Sequence, residues 1–177
     1  MTRENRLRRV LILCVCFSRN LAYHEAGNSW RRSDRISDFW ISVDSNFLDI
    51  AVLEWCKLFC DKRGNHYWRK IVYYGKHSRF EEELHCKLNM TSNNFDNYIK
   101  EIRSYRDRFL AHLDDDERMD IPRLESACKA VEFYHAHIIQ HEANGFNISP
   151  WALDLPTYFD CCLAEAKAIY DKCVPNL

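Results

Sequence analysis

Between residues 4 and 26, apolar side chains return every three or four positions, at Leu7, Val10, Cys14, Phe17 and Leu21. That spacing is one face of an α-helix, and it recurs along nearly the whole chain. Only four glycines and four prolines interrupt it in 177 residues. So few breakers favour long helices with few tight turns. No segment alternates as a half-buried strand would. The expectation is all-α: residues 1–177 as a single domain, a helical bundle of about five long helices plus short ones.

The breaks divide the chain. After the first helix, "AGNSWRRS" interrupts, and Ser33 or Asp34 can cap a second helix running to about residue 61. Its stripe is Ile36, Phe39, Trp40, Val43, Phe47, Ala51, then Glu54 or Trp55, and Leu58. Residues 66 to 90 read as two short helices around a turn at "YYGKHS". A cap at Ser92 or Asn93 opens a helix over 94–113, with Phe109 expected to be buried. Asp120 and Pro122 start the next, which stops at Asn144-Gly145. Pro156 opens the last, to about Cys173.

Charge excludes a bulk polycation, since 25 Lys and Arg face 26 Asp and Glu. Nucleic-acid contact would need local patches. Three basic clusters are available: Arg3, Arg6, Arg8 and Arg9; Arg31, Arg32 and Arg35; Lys62, Arg63, Arg69 and Lys70. Arg31, Arg32, Arg35, Arg63 and Arg69 are the candidate RNA contacts, and the sequence leaves open whether they share a face. The nine cysteines are an odd number, and "VLILCVCF" is too short to span a bilayer and lacks a cleavage site. Reduced thiols in the cytoplasm are expected, with no membrane association.

Metal chemistry has little to work with. Cys56 and Cys60, and His137 and His141, are pairs at i, i+4, but neither has a second pair at finger-like spacing. There is no HExxH, glycine-rich phosphate loop or GxSxG. No metal and no cofactor are expected. Asp114, Asp115, Asp116 and Glu117 read as a solvated run whose charge helps to end a helix.

The remaining chemistry lies in "RSYRDRFLAHLDDD", residues 103–116. An arginine followed by a histidine after four to six residues occurs three times: Arg19 with His24, Arg79 with His85, and Arg106 with His112. Sixteen arginines and eight histidines produce about that many by chance. Helix geometry separates the pairs, at roughly 100° per residue. Taking Phe17 as the centre of its apolar face, His24 points inward and Arg19 outward. Arg79 and His85 fall on opposite shoulders of a polar side. Arg106 and His112 lie about 60° to either side of Phe109 and border one apolar seam. Arginine snorkelling from a buried border and histidine favouring a helix dipole would produce the same placement.

"IRSYRDRFLAHLD" resembles the motif helix of the HEPN superfamily, in the branch related to abortive-infection protein U. Arg106, Asp107, His112 and Asp114 match its motif position by position, and Tyr105 and Phe109 fit the surrounding pattern. The resemblance covers roughly residues 35 to 140, giving a motif-bearing core at about 35–145 with extra helices at both ends. It implies a HEPN-like bundle that forms a homodimer. Many such proteins are metal-independent endoribonucleases serving as toxins or antiviral, abortive-infection effectors, some with a neutralising protein partner. Others keep the fold as silent interaction or nucleotide-binding modules. For RNA cleavage, His112 would be the acid or base, Arg106 the phosphate clamp and Asp107 its orienter. Tyr105 and Asp114 are supporting candidates, and Asp114 either orients His112 or belongs to the acidic loop. One histidine carries one proton, so a second copy would complete the site.

Overall fold

The computed structural model describes residues 1–27, 37–110, 121–146 and 154–173. Six α-helices form: α1 Arg3–Gly27, α2 Asp38–Phe59, α3 His77–Leu88, α4 Ser92–Tyr105, α5 Glu125–His137 and α6 Leu155–Cys173. Short 3-10 turns at Trp68–Lys70 and Tyr74–Lys76 connect α2 to α3. Among the described residues there is no strand, and the fold is all-α. No helix among them is long and apolar enough to cross a membrane.

Helix α1 is the hub. It packs against α2 and α6 and also touches α5. Leu7, Val10, Cys14, Phe17 and Leu21 are all buried, as the periodicity requires. Because more than one side is covered, polar Ser18, Asn20 and His24 are buried too. The Asn20 amide meets this cost by donating to the Cys16 carbonyl at 2.7 Å. An aromatic cluster joins the remaining helices. Trp55 stacks on Phe59, with ring centroids 5.1 Å apart, and Phe59 meets Phe95 of α4 and Tyr134 of α5 edge-on. Phe80 of α3 stacks on Trp68 at 4.8 Å and also meets Phe133, Tyr134 and His137.

Several boundaries differ from the sequence reading, each for a local reason. Ser37 precedes α2 in extended conformation, with ψ 153°, whereas Ser33 and Asp34 lie outside the described residues. Phe39 is 65% exposed and leaves the expected stripe. Trp40 turns inward in its place and meets Tyr170 of α6 at 5.3 Å. Thr91, not Ser92 or Asn93, caps α4: its hydroxyl accepts the Asn94 N–H at 3.2 Å. Helix α5 begins at Glu125, later than Pro122 suggests. The Tyr98 hydroxyl donates to the Arg123 carbonyl and accepts the Ala127 N–H, so a side chain from α4 holds the start of α5.

Helices α4 and α5 both end in a π-helical turn, over Arg106–Leu110 and Ile138–Glu142. Such a turn closes hydrogen bonds five residues apart and adds a residue to the circuit. The helix expected over 94–113 is therefore regular only to Tyr105. Phe109 is half-buried, packed beside Tyr105 at 5.7 Å, and residues 111–113 lie outside the described set. In the second π turn, Glu142 comes under His137, five residues earlier, with Nε2 and Oε1 3.6 Å apart. Buried Glu142 also accepts from the Arg3 guanidinium and, at 3.1 Å, from the Tyr73 backbone N–H. One carboxylate thus ties together three segments distant in sequence.

Buried His135 has a consequence for acid stability. It is 1% exposed on α5. Burial lowers its pKa to about 4, despite the opposing pull of Asp154. An unfolded histidine titrates near 6.5, so between those values the unfolded chain binds the extra proton. Stability is expected to fall as pH drops from about 6.5 toward 4, by up to roughly 1.4 kcal/mol per pH unit. Urea midpoints at pH 5 and 7 measure this. An unchanged difference between them in His135→Phe would show that another group is responsible.

Candidate functional site

The motif begins where α4 gives way to its π turn. Tyr105, the last α-helical residue, points into the protein. It is buried, and its hydroxyl donates to Asp49 Oδ1 on α2 at 3.0 Å. Burial raises the Asp49 pKa, with the Tyr105 hydrogen bond and His24 pulling it back in part. Tyr105, Asp49, His24, Asp44 and Phe109 line a small hollow of about 170 Å³. Tyr105 therefore supports the motif from behind and does not sit on its polar side.

Arg106 points toward the end of α2. Its Nε donates to Asp107 Oδ1 at 2.9 Å and its Nη1 to Asp61 Oδ1 at 2.6 Å. Nη2 lies 2.8 Å from the same Asp107 oxygen. The arginine side chain is only 15% exposed, while the two carboxylates are much more open. Burial works against its charge, but the hydrogen bonds it donates to Asp61 and Asp107 outweigh that and raise its pKa. Partial burial likewise pushes Asp107 up, but Arg106 and Arg103 more than offset it and leave that carboxyl below its usual range. Both groups stay charged at neutral pH. Arg103 Nε reaches Asp107 Oδ2 at 3.3 Å, so Asp107 is shared by two arginines.

An arginine has five N–H groups in a planar fork. Among the described residues three of them face Asp61 and Asp107, which fix the plane and leave two for another acceptor. The arrangement suits a preset anion contact more than a freely moving lysine-like charge. Asp61 had no signal in the sequence beyond its place in a turn, being 45 residues from Arg106. His112 and Asp114 lie outside the described residues, as do Arg31, Arg32 and Arg35.

In the other two Arg–His pairs the arginine and the histidine each have a different partner. Arg19 Nη2 approaches Cys16 Sγ at 3.8 Å, while His24 Nδ1 is 3.3 Å from Asp44 Oδ1. Arg79 pairs with Glu83, and His85 meets Phe95 edge-on. Of the described RNA candidates, Arg69 pairs with Glu81 and lies over the Trp68 ring at 4.9 Å. Arg63 offers its carbonyl to Lys70 Nζ at 2.6 Å. Among the described residues no three His, Cys, Asp or Glu side chains converge as a metal site would need. Cys56 and Cys60 are buried and free, and their mutual hydrogen bond and burial push the Cys60 thiol up, away from a ligating thiolate. The rings of His137 and His141 are 4.8 Å apart.

No family model, curated protein or solved structure matches this chain.

Proposed function

We propose that this chain is a HEPN-type, metal-independent endoribonuclease of the toxin or phage-defence class, working as a cytoplasmic homodimer. The observation that carries the reading is the Arg106 fork, held in one plane by Asp107 and Asp61 with two N–H groups to spare. A phosphate bound there would be met by a charge that never titrates away near neutral pH. His112 supplies the proton carrier of that range. In the reaction the RNA 2′-oxygen loses its proton to a base and attacks phosphorus. The bond to the 5′-oxygen breaks as an acid protonates it, leaving a cyclic phosphate. Base and acid would be the two copies of His112 in the dimer, with Arg106 offsetting charge on the phosphate oxygens.

A second reading has its own support. Two carboxylates face one guanidinium in Arg106–Asp107–Asp61, and the acidic run from Asp114 follows in the sequence. That balance suits a silent HEPN-fold module that binds a partner or nucleotide. Labelled RNA incubated with the pure protein in excess chelator separates the two. Fragments ending in a cyclic phosphate are expected. Intact RNA after long incubation with protein shown to be dimeric would favour the module.

A further inference from the structure

Two adjoining hollows run along the face between the α2–α3 connection and α4. The larger, of about 870 Å³, has Lys62, Arg69 and Lys70 on one side and Lys100 and Arg103 of α4 on the other. The second, of about 730 Å³, shares Lys62 and Arg103 and adds Arg63 and Asp61. Six basic side chains line the two hollows with three acids, Asp61, Glu81 and Asp96; of the six, Arg69 pairs with Glu81 and Arg103 with Asp107 outside the lining. This is a local surplus of positive charge in a chain whose net charge is −1. Lys62 and the Arg63 guanidinium have no ion pair among the described residues.

The floor differs from the rim. Tyr67, Phe95 and half-buried Ile99 form a recessed apolar bottom. The Arg69 guanidinium lies over the Trp68 ring beside it, a cation on an aromatic face. A basic rim over an apolar and aromatic bottom complements a strand whose phosphates stay outside while a base turns in. A duplex keeps its bases paired and offers this floor only backbone. An acidic peptide would satisfy the rim but leave the floor unfilled.

We infer that this groove binds single-stranded RNA, with the phosphates on Lys62, Lys70, Lys100 and Arg103 and a base over the Tyr67–Phe95–Ile99 floor. The groove ends at the motif: Asp61 lines it and holds Arg106, and Arg103 lines it and shares Asp107 with Arg106. Only the direction in which the strand leads rests on the ribonuclease reading. Binding to the groove does not.

The probe is a fluorescent oligouridylate of about ten nucleotides, within the usual span of such sites. Methyl groups on every 2′-oxygen prevent its cleavage. Anisotropy is read at fixed moderate salt, with a duplex of equal length and a polyglutamate peptide as competitors. The single strand is expected to bind at least tenfold more tightly than either. The triple variant Lys62→Gln, Lys70→Gln, Lys100→Gln should weaken it at least tenfold while helicity and Tm stay unchanged. Lys167→Gln with Lys172→Gln on α6 should leave it as it was. Equal binding by the folded triple variant, or equal competition by the duplex or the peptide, overturns the groove. Because the probe is never cut, binding without ribonuclease activity would count against the enzyme reading alone. Cleavage of ordinary RNA unaffected by the triple substitution would count against the groove alone.

Discussion

His112→Ala is expected to slow RNA cleavage by about 10² to 10⁴-fold, the usual worth of a positioned acid–base group. Because the dimer would use one His112 as base and the other as acid, the substitution removes both in a single change. Arg106→Lys should also fail substantially. Lysine keeps the charge but cannot span Asp107 and Asp61 while presenting two further N–H groups to a phosphate. Asp107→Asn should be milder, since Asp61 still holds Nη1. Both carboxylates are open to solvent, so these changes should leave the fold standing. The controls are the arginines of the chance pairs: Arg19→Ala and Arg79→Ala should cleave nearly as well as the parent. Cleavage timed on labelled RNA decides the matter. Full activity in His112→Ala, or lost activity in a folded Arg19→Ala, would mean that the chemistry lies elsewhere.

The largest effect on stability should come from Phe80→Ala. Phe80 is fully buried and touches the rings of Trp68, Phe133, Tyr134 and His137, so its loss empties the point where α3, α5 and the α2–α3 connection meet. A fully buried phenylalanine cut to alanine costs about 3–5 kcal/mol through lost burial and the cavity left behind. At this chain length that corresponds to a fall in Tm of roughly 10 °C. Phe39→Ala, which removes the same ring from a largely exposed site, should change Tm little. Comparable losses in the two variants, followed by circular dichroism on heating, would contradict this account of the core.

The helices were legible because each buries a stripe that repeats with its own turn. The α1 stripe is buried throughout, since neighbours cover it along its length. In the first turn of α2 Phe39 departs from the stripe, because α6 lies beside Trp40 and no periodicity states where a neighbour sits. The α5 start falls later than Pro122 suggests for a similar reason: its support is Tyr98, on another helix. At the motif, Arg106 and Asp107 could be picked out, but the 100° arithmetic stops applying where the helix widens to a π turn. Asp61, which completes the hold on Arg106, comes from a turn that reads only as a helix end. Lys100 and Arg103 were open to discovery, since three residues apart on α4 is one shared face. What they share that face with, the loop carrying Lys62 and Lys70, only the folded chain brings together.

The position of α1 between α2 and α6 also bears on how the chain is made. Its partner on one side follows it within a few dozen residues, but α6 begins only at Leu155. At a ribosome's pace of roughly 5–20 residues per second, about ten seconds separate the synthesis of α1 from that of α6. Throughout that interval the flank of α1 destined for Ala166 and Tyr170 stays uncovered, and the Arg3 guanidinium waits for Glu142. Helix α1, made before the other five, is therefore among the last of the six to be finished, and a nascent chain stalled before α6 would present that flank to chaperones or to other stalled chains.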